Sequence, residues 1–255
     1  MDFMNGWAPE SLAESWDNVG FQIGRDDLDV SGIVLALDLD ERVFEFAREK
    51  NANMIISHHP FIFGGLNSIT NETYLGSLIM KLIENNMVFY AAHTNLDQAQ
   101  DGVNEELARI FDLKASRVLE VTSDEAGELG YGMIGSIERI RVRELIDRVK
   151  EGLAISSLTV YGDINREVES LALVGGSGSS FIELAAKEGA DLLITGDIKY
   201  HDGQLAERLG LVLVDPGHFH TEKPVLDLMK RKLELSYPDL RLDIYRKPSP
   251  IYEIL

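Results

Sequence analysis

The sequence contains no cysteine. Disulfides and thiolate ligands are thereby excluded, so any metal site must be built from histidine and carboxylate. No apolar run approaches the roughly 18 residues of a membrane-spanning helix. Met1 to Glu10 lacks a basic segment followed by an apolar one, so no signal peptide is expected. Basic residues are scarce: 24 Lys and Arg stand against 43 Asp and Glu, a formal net charge of -19. A surface so acidic disfavours nucleic acid and anionic membranes as partners. What is present is a chain of 255 residues, 45% hydrophobic, long enough for one large domain or two small ones. A soluble cytoplasmic protein is the expectation.

The apolar pattern alternates between strand and helix. Ile33–Leu37, Ala52–Ser57 and Met87–Ala92 are short buried strands. Glu41–Lys50, Thr73–Asn85 and Gly102–Phe111 are helices, the first with Val43, Phe44 and Ala47 on its inner face. A short helix is expected at Pro9–Ala13, then a turn at Asp17-Asn18 and a strand to Gly24. Asp17-Asn18 reads as Asx turn chemistry rather than as part of a site. In mid-chain, Gly130–Ile137 is a glycine-punctuated strand, Arg141–Leu153 an amphipathic helix and Thr159–Tyr161 a strand. The basic residues on and beside that helix are interleaved with Glu144 and Asp147, which makes it a solvated face.

The chain then repeats itself. Ile33–Leu37 matches Leu171–Gly175, Val43–Ala47 matches Phe181–Ala185, and Ala52–Ser57 matches Ala190–Thr195, all at one offset of 138 residues. Val88-Phe89-Tyr90 leads to His93 and Asp97 as Leu213-Val214-Asp215 leads to His218 and Glu222, at a shorter offset. The expected fold is therefore α/β: two related units with mainly parallel or mixed sheets, residues 1–122 and 123–255. A pseudo-two-fold axis would relate them, with a metal cleft between.

The first unit's second strand ends in His58-His59-Pro60, at the edge where open α/β sheets place their ligands. Two such histidines serve two metals, or one metal and one structural contact, or merely bond each other at a turn. His93-x-x-x-Asp97 and His218-x-x-x-Glu222 present an imidazole and a carboxylate four residues apart, which share a face if helical. One cleft gathering His58, His59, His93, Asp97, His218 and Glu222 suits two divalent ions, Zn, Fe, Mn, Co or Ni, about 3.5–4 Å apart. The resulting positive charge would favour a phosphate-bearing small molecule. His201, in Thr195–Asp202, is either a proton shuttle near the metals or a surface histidine. Gly175–Ser180 is either a phosphate cradle or, more simply, a tight turn.

Ser57-His58-His59-Pro60, His93-Thr94-Asn95-Leu96-Asp97, Thr195-Gly196-Asp197 and Gly217-His218-x-x-x-Glu222, in this order, resemble the GTP cyclohydrolase I type 2 homologue family. The resemblance spans the chain from Trp16-Asp17-Asn18 to Glu222. It implies a dinuclear centre with His58, His59, Asp97, His218 and Glu222 as ligands, and matches His93 to a histidine lining the site. It also implies a toroidal homohexamer, a trimer of dimers. Some members carry an inserted domain in mid-chain, for which 255 residues leave no room. The activity implied is hydrolytic opening of the guanine imidazole ring, then closure to a pterin triphosphate. The broader expectation is a metal-dependent hydrolase of a nucleotide-like molecule, with His93 or His201 moving protons. The rival is a metal-binding ring that serves as a scaffold or regulator without catalysis.

Overall fold

In the computed structural model, residues 2–123 and 127–246 are described, and the chain forms two mixed α/β units. One unit runs to Leu96 and resumes at Val225; the other is Asp97–Pro224. In chain order the first comprises α1 (Asp2–Trp7), β1 (Gly20–Ile23), β2 (Ile33–Ala36), α2 (Glu41–Glu49), β3 (Met54–Ser57), α3 (Tyr74–Glu84) and β4 (Val88–Ala91). The short helix α4 (Thr94–Gln98) carries the chain onward. The second unit holds α5 (Val103–Ile110), β5 (Lys114–Ser123), β6 (Leu129–Arg141), α6 (Val142–Leu153), β7 (Thr159–Tyr161) and β8 (Glu167–Ser177). It continues with α7 (Ile182–Lys187), β9 (Leu192–Gly196), α8 (Tyr200–Leu209), β10 (Val212–Asp215) and α9 (His218–Glu222). The return to the first unit is α10 (Pro224–Ser236) and β11 (Leu242–Ile244).

The first sheet has the order β1-β4-β3-β2-β11, with β1 antiparallel and the rest parallel. Its central strands are buried along their whole length, which is why they read as continuous apolar runs without alternation. Val34, Ala36, Ile55, Phe89 and Ala91 pack against Val43, Phe44 and Ala47 of α2 and Leu78, Ile79 and Leu82 of α3. The Asp40 carboxylate caps α2, accepting from the backbone N–H groups of Arg42 and Val43 at 2.9 Å each. Thr73 caps α3 in the same way through Gly76.

The second sheet has the order β5-β6-β8-β9-β10-β7. On one face Leu171, Leu173, Ile194 and Val214 meet Val142, Leu145 and Val149 of α6; on the other Ala172, Leu193 and Leu213 meet Ile182 and Ala185 of α7 and Ala206 of α8. Within it, β7-β10-β9-β8 repeats the order and directions of β1-β4-β3-β2. The register repeats too: Ile33 opposite Met54 recurs as Leu171 opposite Leu192, at the offset of 138 seen in the sequence. Each sheet then adds different strands, β11 to the first and the long β6–β5 hairpin to the second. Among the described residues no helix is long and apolar enough to cross a membrane.

One core side chain is left with an unmet need. The Tyr90 hydroxyl on β4 is buried and has no hydrogen-bond partner among the described residues. Burial, and secondarily the charge of Glu10, pushes its pKa up to about 12. A buried hydroxyl without a partner costs more than the methine that replaces it, so Tyr90→Phe is expected to stabilise the protein by about 1 kcal/mol. A urea-unfolding midpoint that falls instead would show the hydroxyl to be satisfied.

Candidate metal centre

The ends of β2, β3 and β4 carry Asp38, His58 with His59, and His93. The parallel ladder runs two bonds past β3: His58 N–H donates to Ala36 O at 3.1 Å and His59 N–H to Leu37 O at 2.8 Å. The strand itself ends at Ser57 and the chain bends through both histidines. Their rings therefore converge, with centroids 5.1 Å apart, instead of taking opposite faces as strand neighbours do. His93 joins them at 5.3 and 5.5 Å. One potential ligand atom from each of the three lies within 4.8 Å of the others.

The hydrogen bonds say which atom that is. His58 Nδ1 is 2.8 Å from Ala92 O, a carbonyl that only accepts, so Nδ1 carries the proton. His59 Nδ1 meets Asp38 Oδ1 at 2.8 Å, and His93 Nδ1 meets Asp17 Oδ2 at 3.0 Å. In each neutral ring the lone pair then sits on Nε2, the arrangement of metal-ligating histidines whose other nitrogen is held by an oxygen. Asp17 is the most heavily engaged of these acceptors. Its side chain is fully buried and also accepts from Thr94 Oγ1 at 2.6 Å, Thr94 N–H at 3.2 Å and Asn18 N–H at 2.8 Å. Burial alone would raise its pKa; the bonds from His93 and Thr94, and the charge of His93, outweigh that and hold it well below the usual carboxylate range. Asp17 is thus not mere turn chemistry. One carboxylate oxygen accepts from the N–H of the next residue, Asn18, which is not the two-residue reach of an Asx turn, and the other reaches across to His93.

The second unit presents a similar device. His218 Nδ1 lies 2.8 Å from Asp197 Oδ2, and His218 Nε2 lies 3.1 Å from Glu222 Oε1, one helical turn on. Asp197 takes a left-handed backbone (φ 60°), a conformation that Asp tolerates better than most residues. Glycines make the room. A Cβ on Gly176, itself at φ 69°, would stand 2.3 Å from Glu222 Oε1, and one on Gly196 would meet the His218 backbone at 2.5 Å. Thr221 Oγ1 accepts from Gly176 N–H at 2.9 Å and donates to His218 O at 2.8 Å, locking α9 to the end of β8. Asp215 accepts from Ile198 N–H at 3.0 Å and Gly217 N–H at 2.8 Å; burial nonetheless pushes its carboxyl up.

The two His-x-x-x-acid motifs are not in step. α4 starts at Thr94 and α9 at His218, so His93 precedes its helix while His218 opens its own. The strand register agrees: Met54 opposite Val88 recurs as Leu192 opposite Val212, which maps Thr94, not His93, onto His218. Asp97 lies in α4, half-buried, with one carboxylate oxygen enclosed and its carbonyl accepting from Asn104 Nδ2 at 3.0 Å. His201 is exposed on α8, its Nδ1 3.0 Å from Gln204 Oε1. In Gly175–Ser180 the N–H groups of Gly175 and Gly176 are committed to Asn104 and Thr221, which speaks against a phosphate cradle. The segment is not a tight turn either, because β8 runs on through Ser177 and a short 3-10 helix, Ser179–Phe181, follows without a serine side-chain cap. Of the orienting carboxylates, Asp197 lies in the Thr195-Gly196-Asp197 motif and Asp38 in no motif; the role of each becomes visible only once its partner histidine is placed.

Asp17 makes acid stability a test of this network. A carboxyl depressed below its ordinary 3.8 stabilises the fold fully above that value and loses the contribution as pH falls through and below it. Asp17→Asn is therefore expected to lower the urea midpoint at pH 7, with the gap to the parent protein narrowing below pH of about 4. A gap independent of pH would remove the buried carboxylate from the account.

Comparisons with other proteins place the chain in a family. The chain is 41% identical over 234 residues to a GTP cyclohydrolase 1 type 2 homolog of Clostridium acetobutylicum, covering 91% of this chain and 87% of the relative. It is 37% identical to the protein of that name from Clostridium perfringens, covering 89% and 87%. Among solved structures, a Bacillus cereus protein related to NIF3 superposes with a TM-score of 0.91 at 25% identity, over 100% of this chain and 97% of that one. A hypothetical protein of Staphylococcus aureus does so at 0.90 and 29%, with the same coverage. A family profile matches residues 1–250, nearly the whole of both units, and the chain belongs to that family, Duf34/NIF3 (NGG1p interacting factor 3).

Proposed function

We propose that this protein is a metal-dependent hydrolase of a nucleotide-like, phosphate-bearing small molecule, with GTP cyclohydrolase-type ring opening as the specific reaction to test first. The observation that carries the reading is the convergence of three imidazoles whose Nδ1 atoms are all held by oxygen acceptors. The donor set fits borderline divalent ions, because with no cysteine in the chain it consists of nitrogen and carboxylate oxygen alone. We assign two ions per chain, Zn, Fe, Mn, Co or Ni, to His58 and His59 of the first unit and Asp97, His218 and Glu222 of the second. The family resemblance carried by these motifs supports this assignment. When bound, such ions act as Lewis acids and lower the pKa of a coordinated water towards about 7.

The protein's own groups supply the rest. Asp38 and Asp197 orient His59 and His218. Asp17 holds His93 with its proton on Nδ1, so that Nε2 is the atom that accepts or returns a proton beside the reacting group. His201 is the second candidate for proton transfer, from an exposed position. The family resemblance further supports assembly as a homohexameric ring, a trimer of dimers, which sedimentation of the purified protein will confirm or refute.

Purified protein is expected to bind about two divalent ions per chain. Asp38→Asn should cost about 10–100-fold in metal affinity, the usual effect of removing an orienting partner. Glu222→Gln should abolish turnover on a nucleotide panel while the assembly persists. A protein without affinity for Zn, Mn or Fe, and without turnover, would contradict the reading. Full metal binding without turnover, together with a protein partner indifferent to Glu222→Gln, would replace the hydrolase by a scaffold.

A further inference from the structure

Two large aromatic side chains stand open to solvent beside the imidazole cluster. Trp16 is 56% exposed and Phe63 55% exposed. Their ring centroids are 5.8 Å apart at 39°, and Trp16 meets His93 edge-on at 6.3 Å and 75°. Trp16 is therefore one ring away from the group that also touches His58 and His59. Leaving so much aromatic surface in water forgoes burial, and the next phenylalanine along, Phe61, does pack inward, against Phe89.

The pair is also held in place. Trp16 is followed by Asp17, whose buried carboxylate is fixed by His93 and Thr94. Phe63 follows a segment clamped by Asn18 and Gln22, residues shortly after Trp16 in the chain. Asn18 Nδ2 donates to Ile62 O at 2.5 Å, and Gln22 Oε1 accepts from the N–H groups of Phe61 at 3.2 Å and Ile62 at 3.0 Å. Hydrogen bonds on the neighbouring residues thus fix the backbone from which both rings project. An exposed aromatic surface at the rim of a polar cluster is the composition of a small-molecule site: apolar area to hold a body, and a few polar groups to act on it.

We propose that Trp16 and Phe63 form a stacking platform for a planar nitrogen heterocycle in the substrate, and so select ring-bearing nucleotides over molecules without a base. The proposal rests on the hydrolase reading for the chemistry but not for the binding. Stacking selects planar rings of any base, because each presents a π-face, and requires no positive charge from this acidic chain. A sugar phosphate that lacks the aromatic heterocycle gains nothing from the platform.

The chain has two tryptophans, Trp7 and Trp16, so Trp7→Phe leaves Trp16 as sole reporter. In the zinc-loaded protein, guanosine 5′-monophosphate is expected to quench Trp16 fluorescence, and ribose 5-phosphate is not. By calorimetry, Trp16→Ala should weaken binding of the nucleotide by roughly 5–100-fold at unchanged metal content, Trp16→Phe should retain most of it, and Phe63→Ala should lie between. Equal affinity for the two probes, or an undiminished affinity in Trp16→Ala, would overturn the platform. So would a parent oligomer that dissociates in Trp16→Ala, which would make the pair a contact between copies of the chain. Ring-dependent binding without any hydrolysis would instead uphold the platform and remove the hydrolase.

Discussion

The structure of the candidate site depends on one repeated interaction, a hydrogen bond from a histidine Nδ1 to a fixed oxygen. Of the six histidines, His58, His59, His93 and His218 have Nδ1 on a backbone carbonyl or an aspartate, at 2.8–3.0 Å. The bond does two things at once. It selects the tautomer, and it orients the ring so that Nε2 is the atom turned toward the neighbouring ligand groups of its own unit. Without the acceptors the same residues would be mobile imidazoles at a strand end.

Those acceptors are placed by the sheet. Ala92 O lies just beyond β4, Asp38 two residues beyond β2, and Asp197 just beyond β9. Parallel strands of equal length end together, so residues leaving them are brought side by side although far apart in sequence. His59 and Asp38 are 21 residues apart, and so are His218 and Asp197. Asp17 comes from the connection before β1, the one antiparallel strand of that sheet, and reaches His93 over 76 residues. The glycines at 176 and 196 complete the arrangement by letting α9 lie against the ends of β8 and β9.

Much of this was legible in the sequence. The 138-residue repeat gave the shared strand order and even the register, because buried parallel strands have no freedom to slip without exposing a face. The inner faces of α2 and α6 followed from apolar spacing, and Val43, Phe44, Ala47, Val142, Leu145 and Val149 are all buried. Three things were hidden. Asp17-Asn18 has the spelling of a local turn, and nothing in a local motif reports a bond from Asp17 to a residue 76 positions away. The one-residue displacement between His93 and His218 was invisible while the two motifs were aligned by their own spelling instead of by strand register. The return of α10 and the three-residue β11 to the first sheet leaves too short an apolar pattern to read, although β11 pairs with β2 throughout its length.

The central claim concerns where the histidine protons sit, and nitrogen NMR of the imidazole rings reads that directly. In metal-free protein above the range where imidazole titrates, His58, His59 and His93 should each show the Nδ1–H tautomer. Addition of zinc should then shift Nε2, not Nδ1, of His58 and His59. Nε2–H tautomers in the metal-free protein, or spectra unchanged by zinc, would contradict the account.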